Sequence, residues 1–419
     1  MSTILLEQVT IKGEKKDVLI KGNIIAEIGD LKNIKADRTI NCNGKWLLPG
    51  FVNMHTHSSM TLMRGISEDS PLQEWLNKIW DIEEHIDGEM IYWGAKLAIL
   101  EMIKSGTTCF LDMYWIIPQI YRAVEEMGIR ADLTYVLLDN FDREKAARQI
   151  KECESLYERS REWNQRCRYG VAIHADYTVC EDTMRWAGSF TKDRGLVLHT
   201  HISETLKENL EDKKRYGMTP VQHFESLGLL DKNTVAAHCV WVDENDIEIL
   251  GKRGVNVVHN INSNLKLASG YKFKYNELRD AGANVCLGTD GAASSNNLDM
   301  IETMKTVAMA QKAWREDPKA MPISELMEMA SHNGAVALNM NAGIIREGAL
   351  ADLILIDTHS PFFVPDFNFE ANLVFSANSS CVETVICDGN IIMEGRKVVG
   401  EDEILEKANE IAWKLSKIN

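Results

Sequence analysis

Two histidine pairs have the spacing to hold a metal ion. Phe51-Val52-Asn53-Met54-His55-Thr56-His57 is an apolar run ending in His-x-His. Alternate residues of a strand face the same side, so both imidazoles can reach one ion. Leu196-Val197-Leu198-His199-Thr200-His201-Ile202-Ser203-Glu204 repeats the device and adds a glutamate three residues on. Here His201 is a candidate third ligand and Glu204 a candidate proton carrier. His199 shares the face of His201, so it is expected one layer deeper, in the wall of the fold. Singly, a His-x-His is a weak motif, explained as readily by two hydrogen-bonded histidines at a strand end.

Three more apolar runs stop at polar residues: Val235-Ala236-Ala237-His238, Val257-Val258-His259-Asn260 and Val285-Cys286-Leu287-Gly288-Thr289-Asp290. Any one of these could cap a turn. Five strand ends offering His, Asn and Asp together are hard to explain by stability alone. Several strands contribute to the active sites of parallel barrels, always at their C-terminal ends. Three imidazoles with one carboxylate suit Zn²⁺ or Fe²⁺ and leave a position for water. Such an ion can lower the pKa of its water from 15.7 to roughly 7. Hydrolysis then needs a general acid and base, and Glu204 and Asp290 are the two carboxylates so placed. The nine cysteines include no C-x-x-C. A cysteine zinc site is therefore not supported, and the zinc deaminases built on H-x-E with P-C-x-x-C are excluded.

These residues need strands alternating with helices. Strand patterns run near 47–54, 107–113, 130–138, 168–174, 196–201, 234–238, 255–259 and 284–289, with helical patterns such as Glu89–Lys104, Ile117–Met127 and Asp142–Tyr157 between them. Eight βα units predict an α/β fold, a (β/α)₈ barrel over residues 51–349. A doubly wound sheet is the competing architecture. It loses support because no glycine-rich nucleotide loop follows a strand. Gly22-Asn23-Ile24-Ile25 is echoed by Gly389-Asn390-Ile391-Ile392. Residues 1–50 and 350–419 are therefore expected to build hairpins of the same kind that pair into one small β-domain, with a helix over Glu401–Leu415.

The chain has 419 residues, with 46 Lys+Arg against 62 Asp+Glu, a net charge of −16. That balance argues against a nucleic-acid or anionic-membrane surface. No apolar stretch reaches the roughly twenty residues of a membrane helix, and the first residues do not resemble a signal peptide. Scattered, odd-numbered cysteines read as reduced thiols, mostly buried, in a cytoplasmic protein. A small-molecule substrate is expected, and a homo-oligomer is left open. His85, His223, His332 and His359 match no motif and read as surface or helix-packing residues. Trp75, Trp80, Trp93 and Trp115 read as core, with Trp80 near enough to Glu83 to line a pocket.

The motifs together resemble the amidohydrolase superfamily. Within it they are most similar to the branch of adenosine-type deaminases acting on S-adenosylhomocysteine and methylthioadenosine, which also holds the triazine hydrolases. The match covers nearly the whole chain. Besides the histidine motifs it includes Met60-Thr61-Leu62-Met63-Arg64-Gly65, Gly106-Thr107-Thr108, Ser263-Asn264-Leu265-Lys266-Leu267, Gly288-Thr289-Asp290-Gly291 and Ile344-Ile345-Arg346-Glu347-Gly348. The resemblance implies a metal-dependent barrel with a β-sandwich from both termini, and the ligands His55, His57, His201 and Asp290. No barrel-strand lysine of the kind carbamylated in two-metal relatives is apparent, so one divalent ion is implied, zinc before iron. Glu204 is the implied proton shuttle, and His238 polarises the attacked centre. Glu83 matches the carboxylate that holds ribose hydroxyls, and His174 a substrate-contacting histidine.

The branch pattern is broken at Asp176 and Ile261, where proline is usual, and at Tyr135, where some homocysteine-accepting relatives have arginine. Asp176, beside His174, reads in two ways: it could repel the carboxylate of homocysteine and favour a neutral or cationic 5′ group, or equally mark a different heterocycle such as guanine or a pterin. Arg143 and Arg148 lie downstream without an assigned place. The expected reaction is hydrolytic deamination of a 5′-modified adenosine, such as S-adenosylhomocysteine, methylthioadenosine or 5′-deoxyadenosine, to the inosine. The alternatives are hydrolysis of another amino- or chloro-substituted heterocycle (guanine, pterin, cytosine, s-triazine) and, more distantly, a non-enzymatic scaffold. The scaffold reading would predict decayed ligand positions, and all are filled.

Overall fold

The computed structural model describes residues 2–417. Met1, Ile418 and Asn419, at the ends of the expected terminal segments, lie outside the described residues. The chain opens with β1 (Thr3–Ile11), β2 (Glu14–Lys21), β3 (Ile24–Gly29), β4 (Arg38–Asn41) and β5 (Lys45–Pro49). The barrel strands follow: β6 (Phe51–Thr56), β7 (Thr107–Tyr114), β8 (Arg130–Leu137), β9 (Cys167–Ile173), β10 (Leu198–Ile202), β11 (Thr234–His238), β12 (Asn256–His259) and β13 (Asn284–Leu287). The last strands are β14 (Leu353–Asp357), β15 (Val382–Cys387) and β16 (Asn390–Met393).

Strands β6 to β13 form one parallel sheet in sequence order. Hydrogen bonds between β6 and the segment just after β13 close it into a barrel. Asn53 Nδ2 donates to Thr289 Oγ1 at 2.7 Å, and Asn53 Oδ1 accepts from Thr289 N at 3.1 Å. Asp290 N donates to His55 O at 3.0 Å. Every residue of β6, β7 and β8 is buried, as expected of parallel strands covered on both faces. The covering helices include α1 (Leu72–Glu83), α2 (Gly88–Lys104), α3 (Ile117–Met127), α4 (Arg143–Ser160), α5 (Glu181–Arg194), α6 (Leu206–Tyr216), α7 (Pro220–Ser226) and α8 (Glu244–Arg253). Helix α3 shows why: Ile117, Ile120, Val124 and Met127 recur at helical spacing and are the buried face, and Gly128 ends the helix at φ +74°. The helical pattern that begins at Asp142 starts one residue later, because the Asp142 side chain caps α4 by accepting from Glu144 N and Lys145 N.

The strand expected over 47–54 is in fact two strands in two sheets. Its first half is β5, which pairs antiparallel with β14; its second half is β6 of the barrel. Gly50 is the joint, and a Cβ there would lie 2.2 Å from Thr108 Oγ1. The accessory sheet runs β16-β15-β14-β5-β1-β2-β3, with β4 parallel to β1, so both ends of the chain build it. Its two Gly-Asn-Ile-Ile turns meet: Asn23 Nδ2 donates to Asp388 Oδ1 at 3.1 Å, and Ala351 N donates to Asn23 O at 2.9 Å. Arg130, buried at the start of β8, links the two sheets through Asp352 at 2.8 Å and Asp388 at 2.9 Å. The helix Glu401–Leu415 buries Ile404, Ala408, Ile411 and Leu415 in the same apolar cluster as α2. Among the described residues no helix is long and apolar enough to cross a membrane. All nine cysteines are free, and only Cys180 is more than slightly exposed.

Candidate active site

The C-terminal ends of β6, β10, β11 and β13 bring His55, His57, His201, His238 and Asp290 together. One ligand atom from each of His55, His57 and His201 lies within 4.8 Å of the others, and the same holds for His55, His238 and Asp290. Asp290 Oδ1 sits 3.4 Å from His55 Nε2 and 3.3 Å from His57 Nε2. The far side of each ring is tied down. His57 Nδ1 is 2.8 Å from Met113 O, and His201 Nδ1 is 2.7 Å from His174 O. A carbonyl can only accept, so both Nδ1 atoms carry a hydrogen; His201 Nε2 offers its lone pair, and His57 Nε2 does so once it gives up the proton that Asp290 favours there.

Backbone conformation aims these groups. Ser203, His238 and Asp290 all have positive φ, at 52°, 75° and 60°. Non-glycine residues seldom occupy that region, and such strain clusters at functional sites. Here it turns the chain at the strand end, so the side chain faces the barrel mouth rather than continuing the strand's alternation.

Burial and charge set the protonation states. Burial pushes His55 down to about 4 and His174 to about 3, and holds His201 well below its ordinary value. These imidazoles are neutral, as ligands must be. Burial works to raise the Asp290 carboxyl, yet hydrogen bonds and charge from His55 and His57 hold it well below the carboxylate range. Burial also opposes a charge on His57, but Asp290 lifts that imidazole to about 9. His55 Nε2 is buried without a hydrogen-bond partner. An ionised buried carboxylate facing bare imidazole nitrogens is the donor set of a divalent cation, so the residues fit one.

Glu204 and His238 stand beside this group. His238 Nε2 is 3.9 Å from Glu204 Oε2. Asn264 Oδ1 lies 2.8 Å from His238 Nδ1 and fixes the ring. Ser269 Oγ donates to Glu204 Oε1 at 3.2 Å, and burial raises the Glu204 carboxyl above its usual value. Glu83, the last residue of α1, reaches the same pocket. Tyr114 Oη donates to its Oε1 at 2.6 Å, and its Oε2 is buried without a partner. His174 also lines the pocket, with Nδ1 2.9 Å from Thr178 Oγ1. Thr178 donates to Ala175 O, so it accepts from His174 and leaves the other ring nitrogen free to accept.

Other residues that could do chemistry lie elsewhere. His259 stacks on Phe273, ring centroids 4.0 Å apart, as a core residue. Tyr135 donates to Glu152 at 2.9 Å, and Arg148 faces Glu144 on the exposed side of α4. Asp176 overturns its expected place beside the substrate: it is buried and faces His223 at 3.4 Å, outside the pocket lining. Asn264, Ser269 and Tyr114 were not singled out for these contacts from sequence. Asn264 at least lay inside a motif; the other two carried no local signal.

Free space above the ligands is about 50 Å³, walled on one side by Leu72, Trp75 and Leu76 of α1. It adjoins an outer cavity of about 790 Å³, sharing Leu72, Leu76, Tyr177 and Leu267 with it.

Residues 46–392 match the model of the amidohydrolase family. The chain belongs to the amidohydrolase family. Among relatives of this amidohydrolase, a 5-methylthioadenosine/S-adenosylhomocysteine deaminase of Thermococcus sibiricus is 44% identical, covering 90% of each chain. A 5′-deoxyadenosine deaminase of Methanothermobacter thermautotrophicus is 43% identical, covering 93% of this chain and 91% of its own. Among solved structures, an adenosine deaminase from Xanthomonas campestris with bound zinc superposes with a TM-score of 0.94 at 28% identity, covering 99% of each chain. This amidohydrolase is a metal-dependent hydrolase, and its barrel mouth carries a single catalytic site for a divalent ion.

Proposed function

We propose that this amidohydrolase hydrolyses the 6-amino group of a 5′-modified adenosine, giving the corresponding inosine and ammonia. S-adenosylhomocysteine, methylthioadenosine and 5′-deoxyadenosine are the candidate substrates. The observation that carries the reading is one pocket that combines the ligand group with Glu83, a carboxylate oxygen awaiting donors. Its relatives, above 40% identical, are named for deaminating such nucleosides.

In this reading His55, His57, His201 and Asp290 hold the ion. When bound, it supplies a water acidified toward about 7 and a Lewis-acid centre. The chain's own groups handle the protons. Glu204, its carboxyl raised by burial, gives a proton to the ring nitrogen beside the reacting carbon. Asp290 carries the remaining proton of the attacking water to the departing nitrogen, which leaves as ammonia. His238, oriented by Asn264, stabilises charge at the attacked carbon. Glu83 accepts from the two ribose hydroxyls, and His174 faces the sugar. The 5′ substituent extends toward the outer cavity. The inner space, about 50 Å³, is far below the roughly 300–1,000 Å³ of small-molecule sites. The α1 side chains Leu72, Trp75 and Leu76 therefore give way when the base binds. Asp176 takes no part in choosing the 5′ group. Cytoplasmic placement, supported by nine free thiols, and self-association belong to the same proposal; light scattering reads the latter.

The test is kcat/KM for methylthioadenosine, S-adenosylhomocysteine, 5′-deoxyadenosine, adenosine, adenine and guanine, in wild type and Glu83→Ala. Nucleosides should exceed free bases, and Glu83→Ala should remove the difference. Such a loss can reach about 10⁴–10⁵-fold when hydroxyl-pairing groups go unpaired. Preference for free bases, or a Glu83→Ala variant that leaves nucleoside turnover intact, would overturn the reading.

A further inference from the structure

We propose that the chain holds a second divalent cation, structural in role, between Asp176, Asp212 and His223. Asp176 follows β9, Asp212 lies in α6 and His223 in α7. One ligand atom of each falls within 4.8 Å of the other two. All three side chains are buried, at 1%, 3% and 1% exposure. None belongs to the catalytic group, so the proposal stands apart from the substrate assigned above.

The site holds more carboxyl groups than it has cationic side chains to pair with them. Asp176 Oδ2 faces His223 Nδ1 at 3.4 Å, but Asp176 Oδ1, Asp212 Oδ2 and His223 Nε2 are all buried without a hydrogen-bond partner. No lysine or arginine forms an ion pair with Asp176 or Asp212 among the described residues. Arg215, on the same helix as Asp212, stacks over Phe141 and Tyr216 instead, 4.7 and 5.0 Å from their centroids. Glu208, one turn before Asp212, adds a third buried carboxylate. Glu181 Oε1, half exposed, approaches His223 Nε2 at 3.5 Å. Unpaired buried carboxylates are costly and in proteins are paired or bind metals. Burial, a hydrogen bond with Asp176 and nearby carboxylates push Asp212 up to about 10, and burial with the charges of Asp176 and Glu204 pushes Glu208 to about 8, so without a cation these two acids keep their protons. Two carboxylates and an imidazole suit a first-row ion such as Zn²⁺ or Mn²⁺ better than the all-oxygen shells of Ca²⁺ or Mg²⁺.

The position gives the ion a task. Glu208 accepts from Ser203 N and Glu204 N, both at 2.7 Å. Helix α6 thus grips the backbone that carries Glu204. A cation at Asp212 would fasten α6 to α7 and to the loop after β9, and hold that grip in place. Asp176 and Asp212 are in this sense positioning residues.

A proton shared between Asp176 and Asp212 is the competing account, and metal counting separates the two. Tag-free protein reconstituted with Zn²⁺ and desalted should contain two ions per chain by elemental analysis. His223→Gln and Asp212→Asn should each contain one and remain folded by circular dichroism. His55→Ala with His57→Ala should also contain one, and adding Zn²⁺ to that chelator-stripped variant should raise its Tm. The same addition should not raise the Tm once His223→Gln is included. A wild-type count of one, or a count of two that survives His223→Gln, overturns the proposal. Should the double histidine variant fail to fold, the comparison of wild type with His223→Gln still decides. An Asp212→Asn variant that keeps the wild-type metal count and is more stable than wild type at alkaline pH would establish the shared proton instead.

Discussion

His199 Nε2 lies 2.8 Å from His55 Nδ1, and that contact decides which nitrogen of His55 faces the ligand group. Thr134 Oγ1 donates to Asp112 O at 2.5 Å and therefore accepts from His199 Nδ1, 3.3 Å away. His199 Nε2 is left as an acceptor for the His55 Nδ1 hydrogen, and His55 Nε2 is left bare. The first imidazole of the Leu198–Ile202 strand thus orients a proposed ligand on another strand. Removing such a partner typically costs 10–100-fold in metal affinity or activity. His199→Ala should weaken metal binding by about that factor, measured by competition with a chelator. Unchanged affinity would show that the contact does not set the ligand's orientation.

Glu204 should be separable from metal binding. Its carboxyl carries protons in the proposed reaction and touches Ser269 and His238 rather than the ligand histidines. General acid–base groups contribute about 10²–10⁴-fold. Glu204→Gln should therefore keep its metal, by elemental analysis, while kcat falls at least roughly a hundredfold. Turnover within threefold of wild type would remove Glu204 from this role.

Glu83 gives a pH signature. Burial raises its carboxyl from the ordinary 4.5 to about 7, against the opposing Tyr114 hydrogen bond and His57 charge. A group whose pKa is higher in the fold than in the unfolded chain adds stability that is complete below the ordinary value. That stability disappears as pH rises through about 7. Glu83→Gln cannot ionise, so its stability relative to wild type should improve between pH 5 and pH 8. Urea titrations at both pH values measure it, and a difference that stays constant or reverses would refute the assignment.

The Arg130 ion pairs tie the barrel to the accessory sheet. Asp352 accepts from Arg130 Nε at 2.8 Å and from Asp388 N at 2.6 Å. Both Arg130 and Asp352 are buried. Breaking a buried pair by removing one partner costs about 3–5 kcal/mol, so Asp352→Ala should lose about that much by denaturant unfolding. Glu158→Ala, which breaks an exposed pair with Arg161, should cost at most about 1 kcal/mol. Equal losses would mean that burial is not what gives the Arg130 link its weight.

Much of the molecule follows from local pattern. Apolar runs of four to eight residues, with polar residues at or just beyond their ends, announce barrel strands and the mouth where they end. His55 and His57 were readable as a pair because a strand's alternation is a property of the chain itself, and His201 and Asp290 joined them as residues at the ends of other strands that the family resemblance implied. Where two elements abut, the pattern was blind. The run 47–54 looked continuous, and only the packing of Gly50 against Thr108 divides it between two sheets. The partners of the proposed site residues were equally out of reach. Tyr114 meets Glu83 across 31 residues, Asn264 meets His238 across 26, and Ser269 meets Glu204 across 65. Asp176 shows the limit most plainly. Its place after His174 suggested a substrate neighbour, yet helices α6 and α7 draw it into a buried cluster. Sequence by itself determined which residue types sit at the barrel mouth, because alternation and element order are local. Tertiary structure alone decided where each side chain beyond a strand end points, because that direction depends on positive-φ turns and on contacts from distant elements.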